Sequence, residues 1–175
     1  MCWYGFEGNR AFSSKIQQLQ ARFHSAGSRA RLFHETLFSN TSEMKSFYID
    51  EDSQGLGSTM LASKRHVYLD KKTGLWTSDG KGVNSVYAAA QVKSVDAATF
   101  LRAVAMVSGF VFLKLDVEGY EFELLPHLLS SVCHSVDALG IEWHNGMVPH
   151  LRAEEQPDVW EKRFSACGVA LKPWP

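Results

Sequence analysis

The feature that most constrains the fold is the apolar run FVFLKLDV at residues 110–117, which is interrupted only by Lys114 and Asp116. A run of this length is short for a helix, and a nearly continuous apolar sequence is typical of a β-strand that is covered on both faces. Such strands occur in parallel sheets flanked by helices. Residues 110–117 are therefore predicted to form a central parallel strand of an α/β protein.

Strand-like and helical segments alternate along the rest of the chain. Helical spacing is found at residues 9–27, 96–109, 119–130 and 158–166. Strand-like patterns are found at residues 3–6, 29–38, 45–50, 65–70, 91–95, 138–143 and 168–171. This alternation predicts a doubly wound, mostly parallel sheet. Because no repeat or linker divides the sequence, residues 1–175 are expected to form one domain.

Several residues predict where these elements begin and end. Asn9 and Asp96 are candidate N-caps, while Gly27 and Gly109 are candidate helix ends. Pro126 is expected to kink its helix or to begin a second one, and Pro173 to end the last strand. Residues 71–82 collect Gly, Lys, Asp and Ser and are expected to form an exposed loop or hairpin tip.

The charge balance argues against two classes of partner. The chain has 18 Lys and Arg against 19 Asp and Glu, so no strong field for nucleic acid or anionic lipid is expected. The most apolar stretch, residues 103–113, is shorter than the roughly 20 residues that cross a bilayer. No secretory signal is recognised at the start, so the compartment is left open with the cytoplasm as the default expectation.

The three cysteines, Cys2, Cys133 and Cys167, are odd in number and form no Cys-x-x-Cys pair. This pattern argues against both a disulfide framework and a zinc site. The cysteines are therefore predicted to be reduced, half-buried residues.

Three acidic residues follow predicted strands: Glu7, Asp116 and Glu142. Ligands of an open parallel sheet bind outside the carboxyl ends of its strands, so these carboxylates are expected to share one rim. Glu7 could accept the ribose hydroxyls of an adenosine, with Asn9 beside it as a second cofactor-binding residue. The alternative is a turn acid that complements the dipole of the helix beginning near Asn9.

The segment KLDVEGYE, residues 114–121, forms a second candidate constellation. Lys114 and Asp116 share one strand face, while Glu118 and Glu121 fall at the beginning of a helix. One interpretation is an ion pair followed by helix-capping glutamates. The other places Asp116 at the ligand rim, where it orients a substrate hydroxyl or accepts its proton, with Lys114, Glu118 and Glu121 lining the site.

The segment IEWHN adds Glu142 and His144 on a common face. Glu142 is expected to line the site. Next to Asp116, His144 could serve as a second candidate base, although a lone histidine at a strand end is more often structural. Asp116, Glu142 and His144 could also bind a divalent metal, but their spacing matches no metal motif, so no metal site is predicted.

These segments together resemble a known family. The quoted stretches are YGFEGNRAFSSKIQQL, GLGSTM, VKSVDAATFL, VFLKLDVEGYEFELL and DALGIEWH. They resemble FkbM-type S-adenosylmethionine-dependent methyltransferases, and KLDVEGYE is the most specific part. The resemblance implies a Rossmann-like class I fold and methylation of a hydroxyl group on a sugar or other small molecule. It also implies that Glu7 binds the cofactor ribose and that Asp116 and Glu118 line the methyl-transfer site.

The chain departs from this family in two respects. Gly8 and Arg10 stand where prolines are usual, which leaves the acid in place. The family's first strand and Gly-rich loop, which precede the Phe-Glu segment, are not found, so the sheet is expected to be N-terminally incomplete. Either the chain is part of a longer enzyme, or its two half-sheets close directly on one another. A non-catalytic remnant and a metal-assisted hydrolase remain alternative functions.

Overall fold

A computed structural model describes residues 2–51 and 54–172, so Pro173 lies outside the described residues. The described strands are β1 (Cys2–Glu7), β2 (Arg29–His34), β3 (Thr36–Ser39), β4 (Met44–Tyr48), β5 (Arg65–Asp70), β6 (Leu75–Gly82), β7 (Ala89–Asp96), β8 (Phe112–Leu115), β9 (Ala138–Ile141) and β10 (Ala170–Lys172). The described α-helices are α1 (Ser13–Ser25), α2 (Ala97–Ala105), α3 (Glu121–Val132) and α4 (Pro157–Ala166). The predicted mixture of helices and strands is confirmed.

The described strands form four hydrogen-bonded groups. Strands β1 and β2 are parallel, and β8, β9 and β10 form a parallel sheet with β9 in the middle. Strand β7 lies between β3, which is parallel to it, and β4, which is antiparallel. Strands β5 and β6 form an antiparallel hairpin. Parallel pairing therefore dominates around β1 and β8, while the middle of the chain adds antiparallel strands.

The prediction of a central strand at residues 110–117 is wrong in its position within the sheet. Strand β8 has four residues and, within the described chain, pairs only with β9. Phe110 and Phe112 are 65% and 42% exposed, and on β1 Trp3 is 54% exposed. The apolar composition of a segment indicates that its side chains are buried by other parts of the protein. It does not indicate whether the segment has a hydrogen-bonded strand on each side.

The buried core lies between the β8–β10 sheet and the helices α2, α3 and α4. Its fully buried members include Leu115, Leu124, Leu128, Leu139 and Phe164. A smaller cluster of Leu37, Phe47 and Val92 lies within the sheet around β7. None of the helices in the described ranges is both long enough and apolar enough to cross a membrane.

The predicted starts of two helical segments are confirmed. The Asn9 side chain accepts a hydrogen bond from the Ala11 amide at the 3₁₀ turn Arg10–Phe12, which leads into α1. Asp96 accepts one from the Thr99 amide at the start of α2. Helix α1 ends before Gly27, whose φ of 71° only glycine adopts readily.

One predicted helix end differs from the structure, and of the two alternatives predicted at Pro126 the second helix is excluded while the kink stays a prediction. Helix α2 ends at Ala105, four residues before Gly109, the predicted stop. Helix α3 continues through Pro126 as one element, so no second helix begins there. Pro126 falls in the second turn of α3, where its missing N–H removes one helical hydrogen bond but does not end the helix.

We expect Asp96→Ala to lower the free energy of unfolding by about 1 kcal/mol. Burial opposes the charge of Asp96, but hydrogen bonds from Thr99 and His127 outweigh it and hold the pKa of Asp96 below its ordinary value. Because the pKa of Asp96 is lower in the folded state than in the unfolded state, the charged carboxylate stabilises the fold at every pH above the unfolded-state pKa. This stabilisation is lost as the pH falls through the folded-state pKa. Urea unfolding of the variant at neutral pH and in acid should therefore show a difference that shrinks in acid. Asp158→Ala, in the exposed first turn of α4, is the control and should lower the free energy of unfolding by less. An equal decrease in both variants would contradict the capping role of Asp96.

Two segment predictions need correction. Residues 29–38 form two strands, because Glu35 adopts a φ of 52° that redirects the chain from β2 beside β1 to β3 beside β7. Residues 71–82 include strand β6 rather than only a loop, so the hairpin turn is confined to residues 71–74. Both changes arise from pairing with strands distant in sequence.

The prediction of three reduced cysteines is wrong. Cys133 and Cys167 form a disulfide, while Cys2 is free and exposed. Cys133 follows α3 and Cys167 follows α4, and the following strands, β9 and β10, are neighbours in the sheet. The two helix ends therefore meet although the cysteines are 34 residues apart in sequence.

Candidate functional site

The parallel pairing of β8 with β9 places two of the predicted acids side by side. Leu115 and Ile141 are the last paired residues, and the Glu142 amide donates a hydrogen bond to the Leu115 carbonyl at 2.9 Å. Asp116 and Glu142 therefore leave the sheet at the same edge. Ligating atoms of Asp116, Glu142 and His144 all lie within 4.8 Å of one another.

Lys114 lies against these two carboxylates. Its Nζ is 2.8 Å from Asp116 Oδ2 and 3.9 Å from Glu142 Oε2, and all three side chains are about one-third exposed. Burial and the neighbouring Asp116 charge raise the pKa of Glu142, more than His144 and Lys114 lower it. Burial and the nearby Asp116 therefore both favour the uncharged form of Glu142.

Glu121 lies behind His144 rather than at the surface. It is fully buried, and its Oε1 accepts a hydrogen bond from the Val117 amide and lies 2.9 Å from His144 Nδ1. Burial opposes the charged form of His144, but the Glu121 hydrogen bond and charge, with the charge of Glu118, raise its pKa above the ordinary value. Glu121 thus orients the imidazole instead of lining the rim directly.

Glu118 connects this group to a lysine that sequence reasoning missed. Lys64 is only 4% exposed, and its Nζ lies 2.6 Å from Glu118 Oε2 and donates to the Gly57 carbonyl at 2.9 Å. The other Glu118 oxygen lies 3.7 Å from His144 Nε2. The only local signal for Lys64 is its position shortly after the GLGSTM segment.

The turn at Glu118 and Gly119 depends on unusual backbone geometry. Their φ angles are 55° and 93°. A Cβ on Gly119 would lie 3.1 Å from Val148 Cγ2, so both conformation and space favour glycine there. A positive φ at a glutamate is unfavourable, and the Lys64 ion pair offers a compensating contact. The turn aims Glu118 toward His144.

Glu7 and Asn9 form the second part of the site, at the end of β1. Glu7 Oε1 accepts a hydrogen bond from the Asn9 amide at 2.6 Å. Burial, with a contribution from the charge of Asp116, raises the pKa of Glu7 above its ordinary value. Phe6, the residue before Glu7, packs against the core cluster that contains Leu115, the residue before Asp116.

Asn9 carries an unsatisfied donor. The residue is 1% exposed, its Oδ1 accepts from the Ala11 amide, and its Nδ2 has no hydrogen-bond partner in the described part of the chain. Gly55 leaves space beside this nitrogen, because a Cβ there would collide with it. The Glu7 carboxylate and the adjacent amide donor of Asn9, which is unpartnered among the described residues, fit a ligand that carries both hydroxyl groups and an acceptor, such as an adenosine.

The structure brings most of the predicted site residues together. Asp116, Glu142, His144 and Lys114 meet directly, Glu118 reaches them through His144, and Glu121 supports His144 from behind. Glu7 and Asn9 form the neighbouring group. The chemical roles assigned to these residues from sequence stay predictions.

Comparison with known proteins gives one result. The family model described as Methyltransferase FkbM domain matches residues 2–168, which is nearly the whole chain. Comparisons with curated proteins and with solved structures find no match.

Proposed function

Because this chain belongs to the FkbM methyltransferase family, we propose that it transfers the methyl group of S-adenosylmethionine to a hydroxyl oxygen of a sugar or other small molecule. The observation that supports this most is the pairing of Glu7 with Asn9 at the end of β1, where the buried side-chain amide nitrogen of Asn9 has no partner among the described residues. This pair could hold a cofactor, while the acids around Asp116 at the end of β8 could hold an acceptor. A Rossmann-like class I arrangement belongs to the same proposal.

Glu7 and Asn9 would hold the cofactor. When bound, S-adenosylmethionine supplies an electrophilic methyl carbon on a sulfonium. The Glu7 carboxylate accepts hydrogen bonds from ribose hydroxyls, and Asn9 Nδ2 donates to an acceptor atom nearby. The raised pKa of Glu7 reflects burial that such hydrogen bonds would offset.

Asp116 would accept the proton of the acceptor hydroxyl. An alcohol is a poor nucleophile while protonated, so a base within hydrogen-bonding reach assists methyl transfer. Lys114 Nζ lies 2.8 Å from Asp116 Oδ2, a contact that would hold the carboxylate in position for the hydroxyl. His144 is the second candidate base. Glu118 and Glu142 line the acceptor side of the site and orient the acceptor, and correct orientation contributes strongly to an in-line displacement.

A non-catalytic member of the family is the second candidate. The observation that favours it is the absence of strand pairing between β1 and β8 within the described residues, which leaves Trp3, Phe110 and Phe112 exposed. A cofactor site that spans two unjoined strands would be poorly preorganised.

Titration calorimetry with S-adenosylmethionine distinguishes the two candidates. An enzyme should show saturable heat, and Glu7→Gln should weaken the affinity by about 10-fold or more, because a charged hydrogen-bond acceptor is lost. Glu43→Gln, an exposed acid before β4, is the matched control and should leave the affinity unchanged. No saturable heat with the unaltered chain would favour the non-catalytic alternative.

A further inference from the structure

We propose that Asp116, Glu142 and His144 form a binding site for a divalent transition-metal ion. The proposal concerns ion binding alone, so it holds whether or not the chain transfers methyl groups. The spacing of these residues in the sequence predicted no metal site, because they do not form a linear motif. In the structure they come from the ends of two neighbouring strands.

The first argument is geometry. One ligand atom from each of the three residues lies within 4.8 Å of the others, a separation that one ion can bridge after small side-chain movements. Asp116 and Glu142 are about one-third exposed, so an ion can reach them from solvent. Three protein ligands leave further coordination positions for water or a substrate oxygen.

The second argument is the orientation of His144, which is independent of the acids. The side chain is 8% exposed, and its Nδ1 is held by the buried Glu121 carboxylate at 2.9 Å. With its proton on Nδ1, a neutral imidazole presents the Nε2 lone pair. Nε2 has no partner within 3.5 Å in the described part of the chain, the nearest carboxylate oxygens being those of Glu118 at 3.7 Å and Glu142 at 3.9 Å.

This combination is the one that metal-binding histidines use. Their second nitrogen donates to a carboxylate or carbonyl, which fixes the tautomer and aims the ligating nitrogen. In this protein His144 Nε2 faces the carboxylates of Glu118 and Glu142 at 3.7 and 3.9 Å without a hydrogen bond to either. Glu121 is therefore a positioning residue for the ion site, not a ligand.

The third argument is charge. Four carboxylates are in mutual contact through His144 and the two lysines, namely those of Asp116, Glu118, Glu121 and Glu142. Among the described residues, Lys64 and Lys114 are the two lysines that contact this group, so the carboxyl groups outnumber the ammonium groups by four to two. A group so rich in carboxylates favours a bound cation.

Lys114 competes with the ion for the two outer acids. Its ammonium lies against Asp116 Oδ2 and near Glu142 Oε2, while the Glu142 oxygen nearest His144 is Oε1. The ion would therefore bind through the carboxylate oxygens that face away from Lys114. The positive charges of the ion and of the Lys114 ammonium group would then lie close together and repel each other. Removing the ammonium should strengthen ion binding, a direction opposite to that of the ligand variants.

The ligand set indicates which ions fit. One imidazole nitrogen with two carboxylates suits Mn²⁺, Fe²⁺, Co²⁺ or Zn²⁺ better than Mg²⁺ or Ca²⁺, which prefer oxygen alone. Mn²⁺ is the most useful probe because its unpaired electrons report both the amount bound and the nature of the ligands.

The test is electron paramagnetic resonance of Mn²⁺ titrated into the full chain. We expect saturable loss of the free-ion signal at one ion per chain. Glu142→Gln should weaken binding by about 10-fold or more, and Glu121→Gln by about 10-fold. Lys114→Met should strengthen it. Glu154→Gln, in the exposed pair with Arg152, is the matched control and should change nothing.

Pulsed electron paramagnetic resonance of bound Mn²⁺ should show a hyperfine coupling to a nitrogen nucleus. This coupling should disappear in His144→Gln. If the buried variant His144→Gln does not fold, two other measurements test whether His144 is a ligand. These are the nitrogen coupling in the unaltered chain and the weakening of that coupling in Glu121→Gln, which leaves the three ligands in place. Non-saturable binding, an unchanged affinity in Glu142→Gln or the lack of nitrogen coupling in the unaltered chain would each overturn the proposal.

Discussion

Asp116→Asn is expected to reduce the rate of methyl transfer by about 10²- to 10⁴-fold. An amide cannot accept the hydroxyl proton, although it preserves the shape of the side chain. The affinity for S-adenosylmethionine should stay within a few-fold of the original, because the cofactor residues Glu7 and Asn9 belong to the neighbouring group. The formation of S-adenosylhomocysteine with a mixed panel of monosaccharide and phenolic acceptors measures the first quantity, and calorimetry the second.

Asp158→Asn is the matched control, because this exposed aspartate in α4 pairs only with Lys162 among the described contacts. It should leave both quantities unchanged. A parallel loss of turnover and cofactor affinity in Asp116→Asn would remove Asp116 from the role of base. Full turnover in Asp116→Asn together with a collapse in His144→Gln would transfer that role to His144. Repeating the assay with a chelator separates proton acceptance from the proposed ion binding.

Loss of the Cys133–Cys167 disulfide is expected to lower the free energy of unfolding by about 4 kcal/mol. The estimate follows from the 34-residue separation of the two cysteines and the loop-closure entropy of the unfolded chain. Since a domain is typically stable by about 5 to 15 kcal/mol, this is a large fraction of the total. Urea unfolding of the double variant Cys133→Ser, Cys167→Ser measures the change.

Thiol titration of the denatured, unreduced chain provides an independent check. It should find one thiol, that of Cys2, and three after reduction. Cys2→Ser is the control, because this exposed residue should contribute little to stability. Three thiols without reductant would show that the bond does not form under the conditions used, and the stability difference between the double variant and the original should then be small.

Local sequence patterns were sufficient for much of the fold. Asp96 and Asn9 cap the segments that they were predicted to cap, because capping involves residues only two or three positions apart. The acids at the ends of β8 and β9 lie at one edge, because strand boundaries can be read from the apolar runs. The prediction that these acids lie close together needed one further assumption, that β8 and β9 are parallel. The structure shows this parallel pairing.

The same patterns could not place β8 within its sheet or separate β2 from β3. Whether an apolar strand is central depends on the number of its neighbours, which the strand's own residues do not encode. The division at Glu35 depends on the competing partners β1 and β7, which come from opposite halves of the chain.

The sequence by itself determined the family, the alternation of helices and strands and the identity of the acids at the strand ends. These properties depend on short-range spacing and on a recognisable motif. Only the tertiary structure decided that Lys64 pairs with Glu118, that Glu121 supports His144 from a buried position and that Cys133 joins Cys167. Those pairs are separated by 54, 23 and 34 residues. Their partners are chosen by how the elements pack, and no local pattern carries that information.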